Sequence, residues 1–286
     1  MKRRFLCAVL LGLIILPLSA LELSVTGGLG NLRFDPDRDS SLGAAGEQFS
    51  PLLYLPINAV FSDQAVDRFS YTVEFKRGPV LRNQLSAVLG IDFEYGSLAF
   101  GPVFGLWNDA GDFIKPGVLL RAGLELPGKA FILLEGNATI GALTAEGDYA
   151  EEYGRAAFGI WVPYAVITLS AAREEFSSMN GSGVLIQDRR IRYGFSAAAF
   201  KKNVPYTVDL NLGYQILERE YVHAGTDNLK SLYLGCEFRA SIRPTLTFVL
   251  GGEMPLYTWG KDPLKSPSRS TPLYEVRTGF IWTMGE

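Results

Sequence analysis

The only histidine of this 286-residue chain is the first side chain to test as a catalytic base. His223 stands four residues before Asp227, and a carboxylate beside an imidazole can hold it in the orientation that proton transfer needs. The sequence assigns no nucleophile to this pair, and one histidine in a polar stretch is typical of a solvated loop. We therefore expect that the protein is not an enzyme.

Three aspartates at alternate positions, Asp35, Asp37 and Asp39, are spaced like the first ligands of a calcium-binding loop. The later positions do not fit, because Ser40 replaces the required glycine and Gly46 stands where the closing glutamate belongs. Two cysteines and one histidine also cannot build a thiolate or histidine metal cluster. The sequence therefore predicts neither a metal site nor a cofactor.

The composition is that of a folded chain, with 48% hydrophobic and 12% aromatic residues and a formal net charge of −3. Affinity for nucleic acid depends on clustered lysine and arginine side chains, and no basic face is evident here. We expect no nucleic-acid partner.

The first twenty residues have the three-part layout of a secretory signal peptide. Basic residues 2–4 precede an apolar run from Phe5 to Leu18, and small residues follow at Ser19 and Ala20. A membrane-spanning helix needs about 20 apolar residues, so this run is too short. We predict cleavage after Ala20, which leaves a single domain of residues 21–286. Cys236 is then the only cysteine. It is either buried as a small apolar residue or a site for pairing between molecules, and its strand-like surroundings favour burial.

Alternation with a period of two recurs through the rest of the chain. In the segment 69–76 one set of side chains is apolar and the intervening set is polar, and the segment 206–214 repeats the pattern. Each such segment is typical of a β-strand with two unlike faces. A soluble sandwich can show the same alternation, so the connections between strands must decide the fold.

Short and long polar connections alternate along the chain. Short ones fall near residues 62–67, 95–97, 127–129, 163–164, 201–205 and 241–244, and long ones near 35–51, 77–84, 108–117, 143–152, 175–188, 217–229 and 258–271. This order predicts a closed antiparallel transmembrane β-barrel of about fourteen strands, with twelve or sixteen strands as alternatives. The barrel must close, because unpaired backbone groups in hydrocarbon each cost several kcal/mol. The tryptophans Trp107, Trp161, Trp259 and Trp282 lie near predicted strand ends and suit interfacial girdles.

The last strand resembles the assembly signal of bacterial outer-membrane β-barrels. A polar residue is followed by Gly279 and Phe280, then by the hydrophobic residues Trp282 and Met284 at alternate positions. The mature chain as a whole is similar in size to the monomeric fourteen-stranded porins. The resemblance implies an outer-membrane location, contact with outer-membrane lipid, folding by the β-barrel assembly machinery and a monomeric state. A fourteen-stranded fatty-acid transporter would carry an N-terminal plug, whereas alternation here begins at the predicted cleavage point.

Charged residues fall on the polar face of many predicted strands. Because an isolated buried charge is very costly, so many charges on one face imply water or dense pairing inside the barrel. The predicted lumen-lining residues are Glu74, Lys76, Asp92, Arg121, Glu125, Glu135, Arg190, Arg192, Asp209, Glu237, Glu253, Glu275 and Arg277.

The sequence thus predicts a porin-like channel for passive diffusion of small hydrophilic solutes. The alternative is a non-conducting surface barrel that acts through its extracellular loops in adhesion or in a structural role. A basic loop with Lys261, Lys265 and Arg269 would favour anions if it folded into the mouth. If it stayed outside, the acidic lumen would favour cations.

Overall fold

The computed structural model describes residues 20–31, 52–66, 68–77, 83–107, 113–141, 150–179, 185–200, 204–221, 225–259 and 273–284. Residues 1–19 of the predicted signal peptide, the aspartates at 35–39, His223 and the basic loop residues 261–269 lie outside these residues. Within the described part of the chain, no helix combines the length and the apolar character that crossing a membrane requires.

One antiparallel sheet contains all the described strands. The strands are β1 (Ala20–Gly30), β2 (Leu52–Tyr54), β3 (Ile57–Val66), β4 (Phe69–Arg77), β5 (Asn83–Phe93), β6 (Gly96–Trp107), β7 (Phe113–Leu126), β8 (Ala130–Thr139), β9 (Ala150–Val162), β10 (Ala165–Met179), β11 (Leu185–Phe200), β12 (Tyr206–Tyr221), β13 (Gly225–Arg243), β14 (Leu246–Trp259) and β15 (Glu275–Met284). Both β2 and β3 pair with β1, so they form two pieces of a single barrel strand.

The sheet closes on itself through its first and last strands. A continuous antiparallel ladder joins β1 to β15, from Leu21 opposite Met284 to Gly30 opposite Glu275. Every other strand pairs with its neighbours in chain order, which gives a closed barrel of fourteen strands. The predicted fold class and strand number are therefore confirmed.

The short connections lie close to their predicted positions. Turns occupy residues 94–95, 127–129, 163–164 and 244–245. Two of them need a left-handed backbone, which Gly128 adopts at φ 67° and Tyr164 at φ 69°. The segment predicted as a turn at 62–67 is wrong in part, because β3 continues to Val66.

Two predicted long loops are wrong over most of their length. Residues 175–179 and 185–188 belong to β10 and β11, and residues 217–221 and 225–229 belong to β12 and β13. These strands have 15 to 19 residues, whereas about 9 to 11 suffice to span a bilayer. Their outer ends extend past the apolar belt, and there both strand faces carry polar residues, so the apolar alternation that marks a strand is lost.

The outward face of the barrel is an apolar belt. Neighbouring outward residues such as Leu210 and Leu212 on β12 and Leu232 and Leu234 on β13 are exposed in the isolated chain. In hydrocarbon these side chains meet lipid, and the closed ladder leaves no unpaired edge between them.

Cys236 lies in the same belt and is exposed, so its predicted burial is wrong. The reason is that apolar residues of a membrane barrel face outward.

Charged residues replace the apolar belt at the ends of β10, β11 and β12 that are remote from the short turns. On the outward face, Arg189 contacts Glu175 at 2.9 Å and Glu218 at 3.2 Å, and Arg173 contacts Glu175 at 2.6 Å. Charges on a lipid-facing surface are destabilising at the membrane centre but tolerated near the interface. This cluster therefore marks the outer boundary of the hydrocarbon layer on this wall.

Aromatic side chains border the belt, but not all tryptophans belong to a girdle. On the outward face Trp259 stacks with Tyr214 at a ring distance of 5.5 Å, and Tyr214 stacks with Tyr193 at 6.4 Å. Trp282 is also outward and exposed. The pairing register puts Trp161 on the opposite face, where its ring meets Phe131 edge-on at 6.2 Å. The girdle interpretation is therefore wrong for Trp161.

The backbones of β1 and β15 approach closely in the ladder that closes the barrel, and substitution at this seam can test the fold. A Cβ atom on Gly279 would overlap the carbonyl oxygen of Val25, and it would lie 2.8 Å from Thr26 Cγ2. At Gly154 an added Cβ would meet nothing within 4 Å. Gly279→Val should destabilise the barrel by about 1–3 kcal/mol through overpacking, and Gly154→Val should be nearly neutral. The measurement is the temperature at which each folded barrel loses its SDS-resistant, heat-modifiable migration. Equal temperatures for the two variants would contradict the closure at this seam.

Candidate functional site: the charged inner face of the barrel

Contacts between strands that are not neighbours identify the inner face. Arg121 on β7 reaches Glu74 on β4, and Arg192 on β11 reaches Glu253 on β14. Such contacts are only possible across the interior of a closed barrel. Residues opposite one another in an antiparallel ladder share a face, so the register extends this assignment to every strand.

All charged residues predicted to line the lumen lie on the same inner face. The register and contacts place there Glu74, Lys76, Asp92, Arg121, Glu125, Glu135, Arg190, Arg192, Asp209, Glu237, Glu253, Glu275 and Arg277. They do not form one cluster. They include three groups of contacts and further residues near the ends of the strands.

The first group is a triad in which one guanidinium bridges two carboxylates. Arg121 Nη2 donates to Glu74 Oε2 at 2.6 Å, and Arg121 Nε lies 3.2 Å from Glu135 Oε2. The three side chains are 28%, 15% and 20% exposed, so the pairing occurs with restricted access to water. Low local dielectric strengthens such contacts, and losing the arginine would leave two carboxylates facing each other.

Two further contacts connect β9 with β4 and β5 near this triad. The Lys76 ammonium lies 5.7 Å from the centre of the Tyr153 ring on β9, within the range of a cation–π interaction. Gln84 Nε2 on β5 donates to Glu151 Oε1 on β9 at 3.3 Å. Tyr153 and Glu151 were missed by the sequence prediction, because the polar stretch before them was interpreted as a loop.

The second group surrounds Glu253 on β14. Arg192 Nη2 donates to Glu253 Oε2 at 2.6 Å, and the Arg192 guanidinium also lies 4.1 Å from the centre of the Tyr233 ring. Arg190 Nε donates to Gln215 Oε1 at 3.0 Å, and its Nη2 lies 3.9 Å from Glu253. The two arginines share one carboxylate, so the group carries a net positive charge, and these contacts hold both guanidinium groups in place.

The third group centres on Glu237, which is 8% exposed at its side chain. Arg239 Nε donates to Glu237 Oε1 at 2.6 Å, and Arg277 Nη2 donates to Glu237 Oε2. The register sets Asp209 opposite Glu237. Among the described residues, one carboxylate oxygen of Asp209 is buried without a hydrogen-bond partner. Both arginines donate their hydrogen bonds to Glu237, and the described contacts include no hydrogen bond from either of them to Asp209.

The remaining residues of the predicted set lie at the ends of strands. Asp92 and Glu125 are exposed and stand one residue from the short turns that follow β5 and β7. Glu275 is buried at the opposite end of β15. The sequence prediction missed a further inner ion pair, in which Arg219 donates to both oxygens of Asp188 at 2.6 and 2.7 Å. Its members fall in the two segments that were interpreted as loops, where the alternation of apolar and polar residues breaks down.

The described residues include no group of three or more histidine, cysteine, aspartate or glutamate side chains that could hold a metal ion. The inner face carries guanidinium, carboxylate, ammonium and amide groups that contact one another. Such a surface can hydrate and orient solutes by charge.

Solved structures share this fold. An outer membrane channel from Pseudomonas putida F1 matches with a TM-score of 0.54 and 11% identity, over 94% of this chain and 97% of that chain. A Pseudomonas aeruginosa FadL homologue matches with a TM-score of 0.50 and 11% identity, over 92% of this chain and 88% of that chain. No protein-family profile matches the chain, and no curated protein matches it significantly.

At these identities the likeness shows the fold alone. The fold is a closed β-barrel like those of the matched outer-membrane proteins, which confirms the expected resemblance in fold.

The triad provides a stability prediction. Arg121→Ala leaves Glu74 and Glu135 without their shared partner inside the barrel, and we expect a loss of about 1–3 kcal/mol in the free energy of unfolding. The control is Arg173→Ala, which removes an outward arginine that is 52% exposed and should cost less than about 1 kcal/mol. Urea unfolding in lipid vesicles, followed by tryptophan fluorescence, measures both. An equal effect of the two substitutions would show that the triad is solvated like a surface pair.

Proposed function

We propose that the protein is an outer-membrane channel through which small hydrophilic solutes diffuse passively, and that it carries out no catalysis. The observation that carries the proposal is the division of the barrel wall into a mainly apolar outward face and an inner face that carries the ion pairs between non-neighbouring strands. Charges of both signs remain ionised only where water or opposite charges surround them. The ion pairs supply opposite charges, and the exposed inner acids Asp92 and Glu125 would require water.

The charged residues predicted from the sequence are assigned the role of lining the solute path. They comprise eight acidic and five basic side chains, which leaves a net charge of −3 on this set. Asp92, Glu125 and Asp209 are acids for which the described contacts include no ion pair. An acidic path raises the local concentration of cations, so cations should pass more readily than anions.

The last strand supports a proposal about assembly. Phe280, Trp282 and Met284 project outward from β15, while Gly279 faces inward against β1. We assign these four residues to recognition by the β-barrel assembly machinery, with a monomer as the folded product. Residues 1–20 are proposed as the export signal.

A non-conducting barrel is the second candidate, and one observation favours it. Several apolar residues on the inner face near the outer ends of β10 to β13 are buried, among them Phe176, Leu217 and Leu229, each 3% exposed. An inner face that is buried there narrows the open cross-section. In this second reading the barrel presents its extracellular loops for adhesion or has a structural role.

Planar-bilayer recording separates the two candidates. Purified wild-type protein should produce stepwise increases in conductance, and a salt gradient should give a reversal potential of the sign for cation preference. Absence of stepwise conductance from protein that retains heat-modifiable migration would overturn the channel proposal and support the second candidate.

Charge reversal tests the assigned lumen residues. The double variant Asp92→Lys and Glu125→Lys replaces two exposed inner acids and should reduce or reverse the cation preference, because the set of lining charges changes from −3 to +1. The control, Glu220→Lys, alters an acid that the register places on the outward face of β12, and it should leave the reversal potential unchanged. Reversal potentials in a salt gradient measure both. An unchanged potential in the double variant would remove these residues from the path.

A further inference from the structure

We infer that side chains reaching from β4 and β5 to β9 form a bridge that divides the lumen and sets the width of the solute path. The bridge consists of Lys76 with Tyr153 and of Gln84 with Glu151. The inference rests on the proposed channel function and adds residues that determine which solutes pass by size.

The bridge joins strands that a circular barrel would hold far apart. Strands lie about 4.8 Å apart and tilt by about 40°, so fourteen of them enclose a circle about 28 Å across. Strands five positions apart would then be separated by about 25 Å, far more than a lysine and a tyrosine side chain can span together. The observed 5.7 Å between the Lys76 ammonium and the Tyr153 ring centre therefore requires a flattened barrel.

The outer surface shows the same flattening from the other side. A hollow of about 1100 Å³ lies on the lipid-facing surface of β7 to β11, with Leu120, Leu134 and Tyr193 among its lining residues. Its floor includes the small residues Gly136 and Ala156. A wall that is concave outside is displaced inward, which brings β9 towards β4.

The inner face beside the bridge is packed. Val88 on β5, Val103 on β6 and Leu119 on β7 point inward, yet they are 4%, 0% and 3% exposed and form one apolar cluster. Inner residues of an open pore would be wetted, so this sector contributes little to the open cross-section. Lys76, in contrast, is exposed. The bridge therefore stands at the border between a packed sector and the open path along the remaining wall.

Conductance tests the sizing role. Lys76→Ala and Tyr153→Ala each remove one half of a bridge contact, and each should raise single-channel conductance by about 1.5-fold or more, because a wider aqueous section carries more ions. The size of polyethylene glycol that is excluded from the pore should rise in parallel. The matched control is Lys230→Ala, which removes a lysine on the outward face of β13 and should change neither quantity.

Cross-linking tests the bridge independently of conductance. With both native cysteines replaced by alanine, the pair Lys76→Cys and Tyr153→Cys should be joined within one chain by a short bis-maleimide. Ser196 on β11 and Thr26 on β1 also face inward and are five strands apart. The pair Ser196→Cys and Thr26→Cys should stay unlinked, because the described contacts include no bridge between those strands.

The outcomes separate the two proposals. The inference is supported if the bridge variants have a higher single-channel conductance and only the cysteine pair at positions 76 and 153 is cross-linked. The bridge is overturned if the wild type conducts and the bridge variants have the same conductance as the wild type, or if the two cysteine pairs are cross-linked to the same extent. These results would not affect the channel proposal. A wild type that never conducts overturns the channel proposal, and the sizing role fails with it.

Discussion

The structure depends on the closing ladder between β1 and β15. Within hydrocarbon, backbone N–H and C=O groups have no water to pair with, and each unpaired group costs several kcal/mol. The ladder from Leu21 opposite Met284 to Gly30 opposite Glu275 satisfies the groups that two open edges would expose. Because closure needs the first and last strands together, the barrel forms as a whole, and the tight contact at Gly279 lies within this ladder.

Closure also determines where the charges lie. Once the sheet is closed, alternate side chains must face either lipid or an enclosed interior, and the charged set is confined to the interior. There Arg121, Arg192 and Arg277 each pair with a carboxylate on a strand that is not their neighbour. These contacts connect walls rather than adjacent strands. The same interactions therefore stabilise the barrel and provide the polar surface that solutes would meet.

Alternation predicted the strands around 69–76 and 206–214 and the face of every charged lumen residue, because a period of two does not depend on tertiary context. It failed at 175–188 and 217–229, where charged residues replace the apolar side chains of the outward face. The contact between Lys76 and Tyr153 could not be predicted, since it depends on the barrel's departure from a circle. Cys236 was misplaced because an apolar residue in this fold faces lipid rather than a core.

Spin labelling along β12 tests the central claim most directly, namely that one strand face meets lipid and the other meets enclosed water. Single nitroxide labels at successive positions from Asp209 to Tyr214, in lipid vesicles, report collisions with oxygen and with a water-soluble nickel chelate. The account predicts opposite periods of two, with oxygen collisions highest at 210, 212 and 214 and nickel collisions highest at 209, 211 and 213. Uniform accessibility to either reagent along the strand would contradict it.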